Sequence, residues 1–410
     1  MSVDHAVPRP AHPATGTGAA GRGPRACLPL LRRGTWYVSR DGAPVPGGIT
    51  LSLAPEIMIR DDAARLRATR DAWPPLTAAE RRSMLREAVE LFRHGRVPVE
   101  GLGEQTPEEF AAAMRVCAGL PPALVRRWSA TLHAALQRPP AVAADERAVT
   151  LVSLPSNTFT CLEAVLEALV TSGAVWIRPS RREPLSAARL VGALLAAGWP
   201  AERLGYYPTS HAALPALIGQ TTRQIVYGGE RAVRAPGVAG AGLDLRGPGR
   251  TCAIVDPSGD PRRVAERLAV LVAADAGRFC TNVSVIVTTG DVGPVARHLA
   301  ALLDGIRLTP PDPCLPQACV PAAEGERVAR LVADRLTPGA RVRTRRPLLI
   351  RDGDRAHLAP TLITADHVEH PLVGCELPFP FAVAVTTDDA GVRRAAARAR
   401  FVHHVTAASP

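Results

Sequence analysis

Residues 149–180 read VTLVSLPSNTFTCLEAVLEALVTSGAVWIRPS, and their pattern decides the fold. Val149–Leu154 is a short apolar run and reads as a strand. From Cys161 to Ser172 the apolar residues recur at helical spacing, and Gly173 marks the expected stop. Ala174–Ile177 is a second strand, ending in Arg178-Pro179-Ser180. The alternation continues with a helix over Leu185–Ala197 and strands at Leu204–Tyr207 and Gln224–Tyr227, the latter followed by Gly228-Gly229. Strands alternating with helices predict a parallel sheet with helices on its faces, whose ligands bind beyond the strand carboxyl ends.

A Gly/Pro-rich junction, Gly237 to Gly249, leads to a second unit of the same kind. There Thr251–Asp256 and Val283–Thr288 read as strands, and Pro261–Ala276 and Val292–Leu303 as helices. Two αβ units joined by a hinge predict a cleft between them, a common meeting place for cofactor and substrate. Upstream, Thr77-Ala78-Ala79-Glu80 and Thr106-Pro107-Glu108-Glu109 are capping boxes that open two helices, with Gly119 as a stop for the second. A third helix follows from Pro122 to Leu136, and the stretch predicts a helical cap over the αβ core. Gly34–Leu53 alternates weakly, as short strands do, and residues 1–30 are a Pro/Ala/Gly-rich arm expected to be mobile. Its G-x-G-x-x-G match, Gly16–Gly21, has no strand before it and no helix after it, so it reads as a linker.

Composition narrows the function classes. The 410 residues are 47% hydrophobic and 21% charged, an ordinary globular mix that excludes a wholly disordered chain. No apolar run reaches the ~18–20 residues of a membrane helix, and the start carries no apolar signal core, so secretion is not expected. The net charge is +11, yet every basic residue is Arg, scattered and not interleaved with aromatics, so no specific nucleic-acid partner is expected. The eight cysteines form no C-x-x-C pair. That leaves no zinc spacing and no disulfide framework, and it fits a reducing cytoplasm.

Two residues carry chemistry. Cys280, in Gly277-Arg278-Phe279-Cys280-Thr281-Asn282, falls on a loop between a helix and a strand, where a thiol is accessible and Arg278 would favour its thiolate. Asn157 falls just past a strand, where an amide can donate to a developing oxyanion. Cys161 and Cys252 read as packing residues, and Cys314 and Cys319 have no His at ligand spacing, so no metal is assigned.

Taken together, SLPSNTF (153–159), GAVWIRPS (173–180), AAGWP (196–200), QIVYGG (224–229), GPGRTCAIVD (247–256), GRFCTNVSVIV (277–287), LAPTLI (358–363) and CELPFPFAVAV (375–385) resemble the aldehyde dehydrogenase superfamily in order and spacing. The front end, with ELFRHGR, EEFAAAM and GLPPALVRRW, resembles the acyl-CoA reductase branch, which includes bioluminescence fatty-acyl reductases. The resemblance implies an α/β fold with a helical N-terminal region. Residues 1–30 would be the arm, 31–248 the helical front end plus a Rossmann-like cofactor-binding domain, 249–380 the catalytic domain, and 381–410 a shortened C-terminal segment. It makes Cys280 the nucleophile and Asn157 the oxyanion donor. It assigns Arg178 to the adenosine ribose, Ser180 to cofactor binding beside it, Gly228 and Gly229 to the pyrophosphate, and Glu376 to the nicotinamide ribose. Arg181 stands where NAD-preferring relatives often carry Glu, so NADPH is the expected cofactor, with NADH open.

One departure sets the expected reaction. Acid-forming members carry a Glu that activates the deacylating water; here Leu243–Arg250 reads LDLRGPGR, and Arg246 takes that position. An arginine stays protonated and cannot activate water. The expected reaction is reduction of an acyl thioester, on acyl-CoA or an acyl carrier protein, to an aldehyde through a Cys280 acyl-enzyme, with a homodimer open. The alternatives are an acid-forming dehydrogenase using Asp244 and a non-catalytic homologue that binds a carrier protein. The chain also ends soon after the Glu376 block, where the family normally continues with a substrate loop and an oligomerisation strand.

Overall fold

The computed structural model describes residues 26–138, 142–228, 242–307 and 316–406. The readings on Gly16–Gly21, Gly229 and Cys314 lie outside these residues. Strand Asp145–Ser153 is the hub of a seven-stranded sheet. Ser172–Arg178 and then Leu204–Tyr206 lie on one side of it, and Arg223–Tyr227 and then Leu243–Arg246 on the other, all parallel. Leu30–Arg32 and Thr35–Tyr37 extend the sheet antiparallel beyond Leu204–Tyr206. The chain thus starts at the hub, moves outward one way, and returns to the other side. Strand order reverses between Asp145–Ser153 and Arg223–Tyr227, and such sheets bind ligands outside the strand carboxyl ends at that crevice. The segment to Asn157 and Gly228 leave their strands there.

Helices Leu162–Thr171 and Leu185–Ala196 cover one face, packing Val165, Leu169 and Leu190 onto Val152, Val175 and Ile177. Helices Ala78–His94, Pro107–Ala118 and Pro122–Ala135 lie over these and put Phe92, Phe110, Trp128 and Leu132 into the same core. The front end is therefore a third layer continuous with the αβ core, not a cap that could lift away. Both capping boxes form, and Gly119 ends its helix at φ 67°. On the opposite face, Glu56–Thr69 and Leu214–Gln220 cover Leu151, Trp176 and Val226. Gly173 does not stop a helix. The helix passes into strand Ser172–Arg178 without a loop, and Gly173 sits inside that strand, where a Cβ would lie 1.8 Å from the Glu146 carbonyl oxygen.

The second sheet has six strands in the order Ala340–Val342, Thr361–Ala365, Phe381–Thr386, Val285–Thr288, Cys252–Val255 and Val402–Val405. All are parallel except the first. Phe381–Thr386 is a buried inner strand and Val402–Val405 an edge, so residues 381–406 complete this sheet and are not a segment apart from it. The helix expected to reach Ala276 stops at Ala273. Asp275, Ala276 and Gly277 follow in the left-handed region, with φ of 56°, 59° and 64°.

Candidate active site

The left-handed turn aims the loop that carries Cys280. For a residue with a Cβ that conformation costs about 1–2 kcal/mol, so its surroundings must hold it. Asp275 accepts hydrogen bonds from Trp128 Nε1 at 2.6 Å and from the Arg127 guanidinium. Buried Arg278 donates to the carbonyls of Ala118 at 2.9 Å and Cys319 at 3.1 Å. Asn282 closes the loop, accepting from the Phe279 N–H at 2.8 Å and donating to the Ala274 carbonyl at 3.0 Å. Phe279 stacks on Trp128 with centroids 5.4 Å apart, which ties the loop to the helical front layer.

Cys280 is exposed on this loop. Its carbonyl accepts from Thr251 Oγ1 at 2.7 Å, and Gly249 passes so close that a Cβ there would lie 1.9 Å from the Cys280 oxygen. Burial of the thiol's surroundings pushes its pKa above the usual thiol value, Glu376 pushes it further, and Arg400 pulls it back. Arg278 does not act on the thiol as the sequence suggested, because its guanidinium is spent on the carbonyls of the neighbouring layers. Arg400, held by the Leu245 carbonyl at 3.0 Å, is the cation that does.

Asn157 Nδ2 donates to the carbonyl of Arg278, and Arg278 Nη1 returns a contact to the Asn157 carbonyl at 3.5 Å. The switch point of the first sheet is thereby bonded to the nucleophile loop of the second unit, with one amide N–H still available. Glu376 Oε1 accepts from the backbone N–H groups of Gly249 and, at 2.9 Å, Arg250.

Two cavities meet at Cys280. The larger, about 1160 Å³, runs along helix Leu162–Thr171. The smaller, about 950 Å³, lies over the switch point. Asn157, Tyr227, Gly228, Phe279, Cys280 and Glu376 line both. Arg178, Ser180, Arg181 and His211 line the smaller one. Arg178 is buried, donating to Thr209 Oγ1 at 2.8 Å and Ser153 Oγ at 3.2 Å, and burial lowers its pKa to about 10. Ser180 Oγ accepts from the Arg182 N–H at 3.2 Å. His211 is held below the usual histidine value by burial and then by Arg178, Arg181 and Arg182, a mark of how cationic this corner is.

Arg246 lines the larger cavity, as Cys280 does. It donates to Asp244 at 2.7 Å and to the Tyr227 hydroxyl at 2.9 Å; burial opposes its charge, but these partners keep it above the usual arginine value. Asp244 lines neither of these cavities. Cys161, expected only to pack, also faces the larger cavity, its thiol pushed up to about 12 by burial. Sequence reasoning missed Trp128, His211 and Arg400, which reach the site from distant parts of the chain, and gave no role to Tyr227 or Asp275, whose partners Arg246, Arg127 and Trp128 are set by the fold.

An exposed thiol thus lies where the switch-point crevice of the first sheet meets a second cavity. The aldehyde dehydrogenase family profile matches residues 155–395, more than half of the chain, and the chain belongs to that family. The fold is similar to that of the NADP-dependent glyceraldehyde-3-phosphate dehydrogenase from Bacillus halodurans C-125 complexed with NADP (TM-score 0.74, 17% identity, 92% of this chain and 86% of that one). It is also similar to an NAD-dependent benzaldehyde dehydrogenase from Corynebacterium glutamicum (TM-score 0.74, 16% identity, 92% and 89%). Lactaldehyde dehydrogenase from Escherichia coli is a third neighbour (TM-score 0.71, 17% identity, 94% and 92%). No curated protein matches the chain. Among the described residues, no helix is long and apolar enough to cross a membrane.

Proposed function

We propose that this aldehyde dehydrogenase family member reduces an acyl thioester to an aldehyde. The observation that carries the reading is Arg246, a cation held in the cavity that Cys280 also lines, at the sequence position where acid-forming relatives carry a carboxylate to activate water. Two of the three carboxylates that line that cavity face arginines, Glu163 meeting Arg138 at 3.0 Å and Glu167 lying 4.0 Å from Arg246, and the third, Glu376, is held by the backbone N–H groups of Gly249 and Arg250. Asp244, the base required by the acid-forming alternative, is engaged by Arg246.

In the first half-reaction the Cys280 thiolate attacks the thioester carbonyl, forming a carbon–sulfur bond. Asn157 and the Cys280 backbone N–H donate to the oxyanion. Collapse breaks the bond to the carrier sulfur, which leaves as a thiol after protonation. The smaller cavity suits a nicotinamide dinucleotide, having a switch-point crevice, the Gly228 backbone and a cationic corner. Held there, a reduced nicotinamide would supply hydride, and the acyl carbon on Cys280 would accept it to give a hemithioacetal. Breaking its carbon–sulfur bond releases aldehyde and restores the Cys280 thiolate. Exclusion of activated water by Arg246 keeps the acyl group on sulfur until it is reduced. A reducing compartment keeps the thiol available.

The test is Arg246→Glu, which restores a base. It should raise hydrolysis of the Cys280 thioester and divert product from aldehyde to acid; an unchanged product ratio would count against the role of Arg246. The cofactor reading is NADPH. Arg181 has no hydrogen-bond or ion-pair partner among the described residues and lines the cavity near Arg178 and His211, a setting for a 2′-phosphate. Arg181→Glu should weaken NADPH binding by roughly 10–150-fold relative to NADH. Equal affinities in the native protein would reject NADPH preference.

A further inference from the structure

The larger cavity has a far end that the reaction at Cys280 does not explain. From Cys161 it follows one side of helix Leu162–Thr171 past Ala164 and Glu167 to Val170. Helix Ala78–His94 runs antiparallel to it: Arg81 donates to the carbonyls of Leu169 and Ser172 at 2.7 and 2.9 Å, while Phe92 meets Phe159 at the other end. Arg82 and Arg86, one turn apart on this helix, therefore line the cavity toward the end remote from Cys280. Both are exposed, and neither has a hydrogen-bond or ion-pair partner among the described residues. Two unpaired guanidinium groups at the mouth of a cavity, on neighbouring turns of one helix, form a site for an anion.

Distance says which part of the substrate carries that anion. Nine helical residues separate Cys161, near the thiol, from Val170, which is about 14 Å along the axis. In a phosphopantetheine thioester about thirteen bonds separate sulfur from phosphorus, roughly 16 Å when extended at the rise per bond of a polypeptide. Ala135, Leu136 and Ala164 give the cavity an apolar lining beside Glu163 and Glu167, which face Arg138 and Arg246, and its volume of about 1160 Å³ has room for a slender arm. We infer that Arg82 and Arg86 bind the phosphate of a phosphopantetheine arm whose thioester lies at Cys280. This rests on the thioester reading and adds the handle by which the substrate is recognised.

The experiment compares two thioesters of one acyl group, acyl-pantetheine and acyl-4′-phosphopantetheine, by kcat/KM with the intact protein. The phosphate-bearing substrate should be favoured about 10- to 100-fold, and added salt should shrink the ratio because the cations are exposed. In the double variant Arg82→Ala, Arg86→Ala the ratio should fall to near one; in the control Arg262→Ala, Arg263→Ala it should stay. Acyl-CoA and a carrier-protein thioester run alongside distinguish the source of the arm: dependence on both arginines with either supports the site, and dependence with neither overturns it. Native protein that uses both small thioesters equally well overturns the inference while leaving thioester reduction intact. An arginine-dependent preference for an acyl group ending in a carboxylate overturns it too. Failure of every thioester to acylate Cys280 is a failure of the thioester reading itself.

Discussion

Cys280 works under opposing charges. Burial and Glu376 disfavour its thiolate, and Arg400 favours it. The sign is set by the thiolate being the anionic form: removing a neighbouring anion lowers the thiol's pKa, and removing a neighbouring cation raises it. Alkylation of Cys280 by iodoacetamide, without cofactor, should be slow at neutral pH and climb only above the pH at which an ordinary thiol reacts. Glu376→Gln should move the midpoint to lower pH and Arg400→Gln to higher pH. A native midpoint below the ordinary thiol range would show that a stronger cationic influence has been missed. At this scale Cys280, Asn157 and Glu376 were legible through local motifs. Arg400 was not, because it bears on the thiol from a stretch of chain 120 residues downstream that carries no motif. Arg278 was misread because adjacency in sequence says nothing about which way a side chain turns, and its guanidinium turns away into the interior.

The decisive element is the turn after helix Pro261–Ala273. Capping boxes and Gly119 made the front helices readable, since each signal lies within four residues of the end it sets. The left-handed Ala276 has no such signal; tertiary bonds to Asp275 and Arg278 impose it. Asp275→Ala leaves the buried Trp128 Nε1 without an acceptor and places another Cβ-only residue at positive φ. It should cost about 1–3 kcal/mol of stability and misplace the nucleophile loop. Asp275→Asn keeps both an acceptor and a residue tolerant of this conformation and should be much milder. Thermal melting and the alkylation rate of Cys280 check both; an Asp275→Ala protein that melts and alkylates like the native one would mean the turn is held by other contacts. Gly173 is the counterpart misreading, where a glycine needed for close strand approach mimics a helix stop.

At the scale of the molecule, two sheets each contribute a part that is incomplete alone. The first brings the switch-point crevice with Asn157 and Gly228, and the second brings the turn, Cys280 and Glu376. Bonds across the junction, Asn157 to the Arg278 carbonyl and Trp128 to Asp275, keep the thiol where the two cavities meet. The alternation of strands and helices made both sheets legible, but the junction depends on pairings between residues over 100 positions apart. On the proposed reading, that arrangement would let a carrier arm leave on one side while reduction proceeds from the other, provided water is not activated meanwhile. The direct test is to acylate the protein with an acyl thioester in the absence of cofactor, locate the adduct by peptide mass spectrometry, and divide the sample. Half is held in buffer and half is mixed with NADPH and an aldehyde trap. The predicted result is an adduct on Cys280 that persists in buffer and is converted to about one equivalent of aldehyde by NADPH. An adduct that hydrolyses to acid as quickly in buffer alone, or one confined to another cysteine, would contradict thioester reduction at this site.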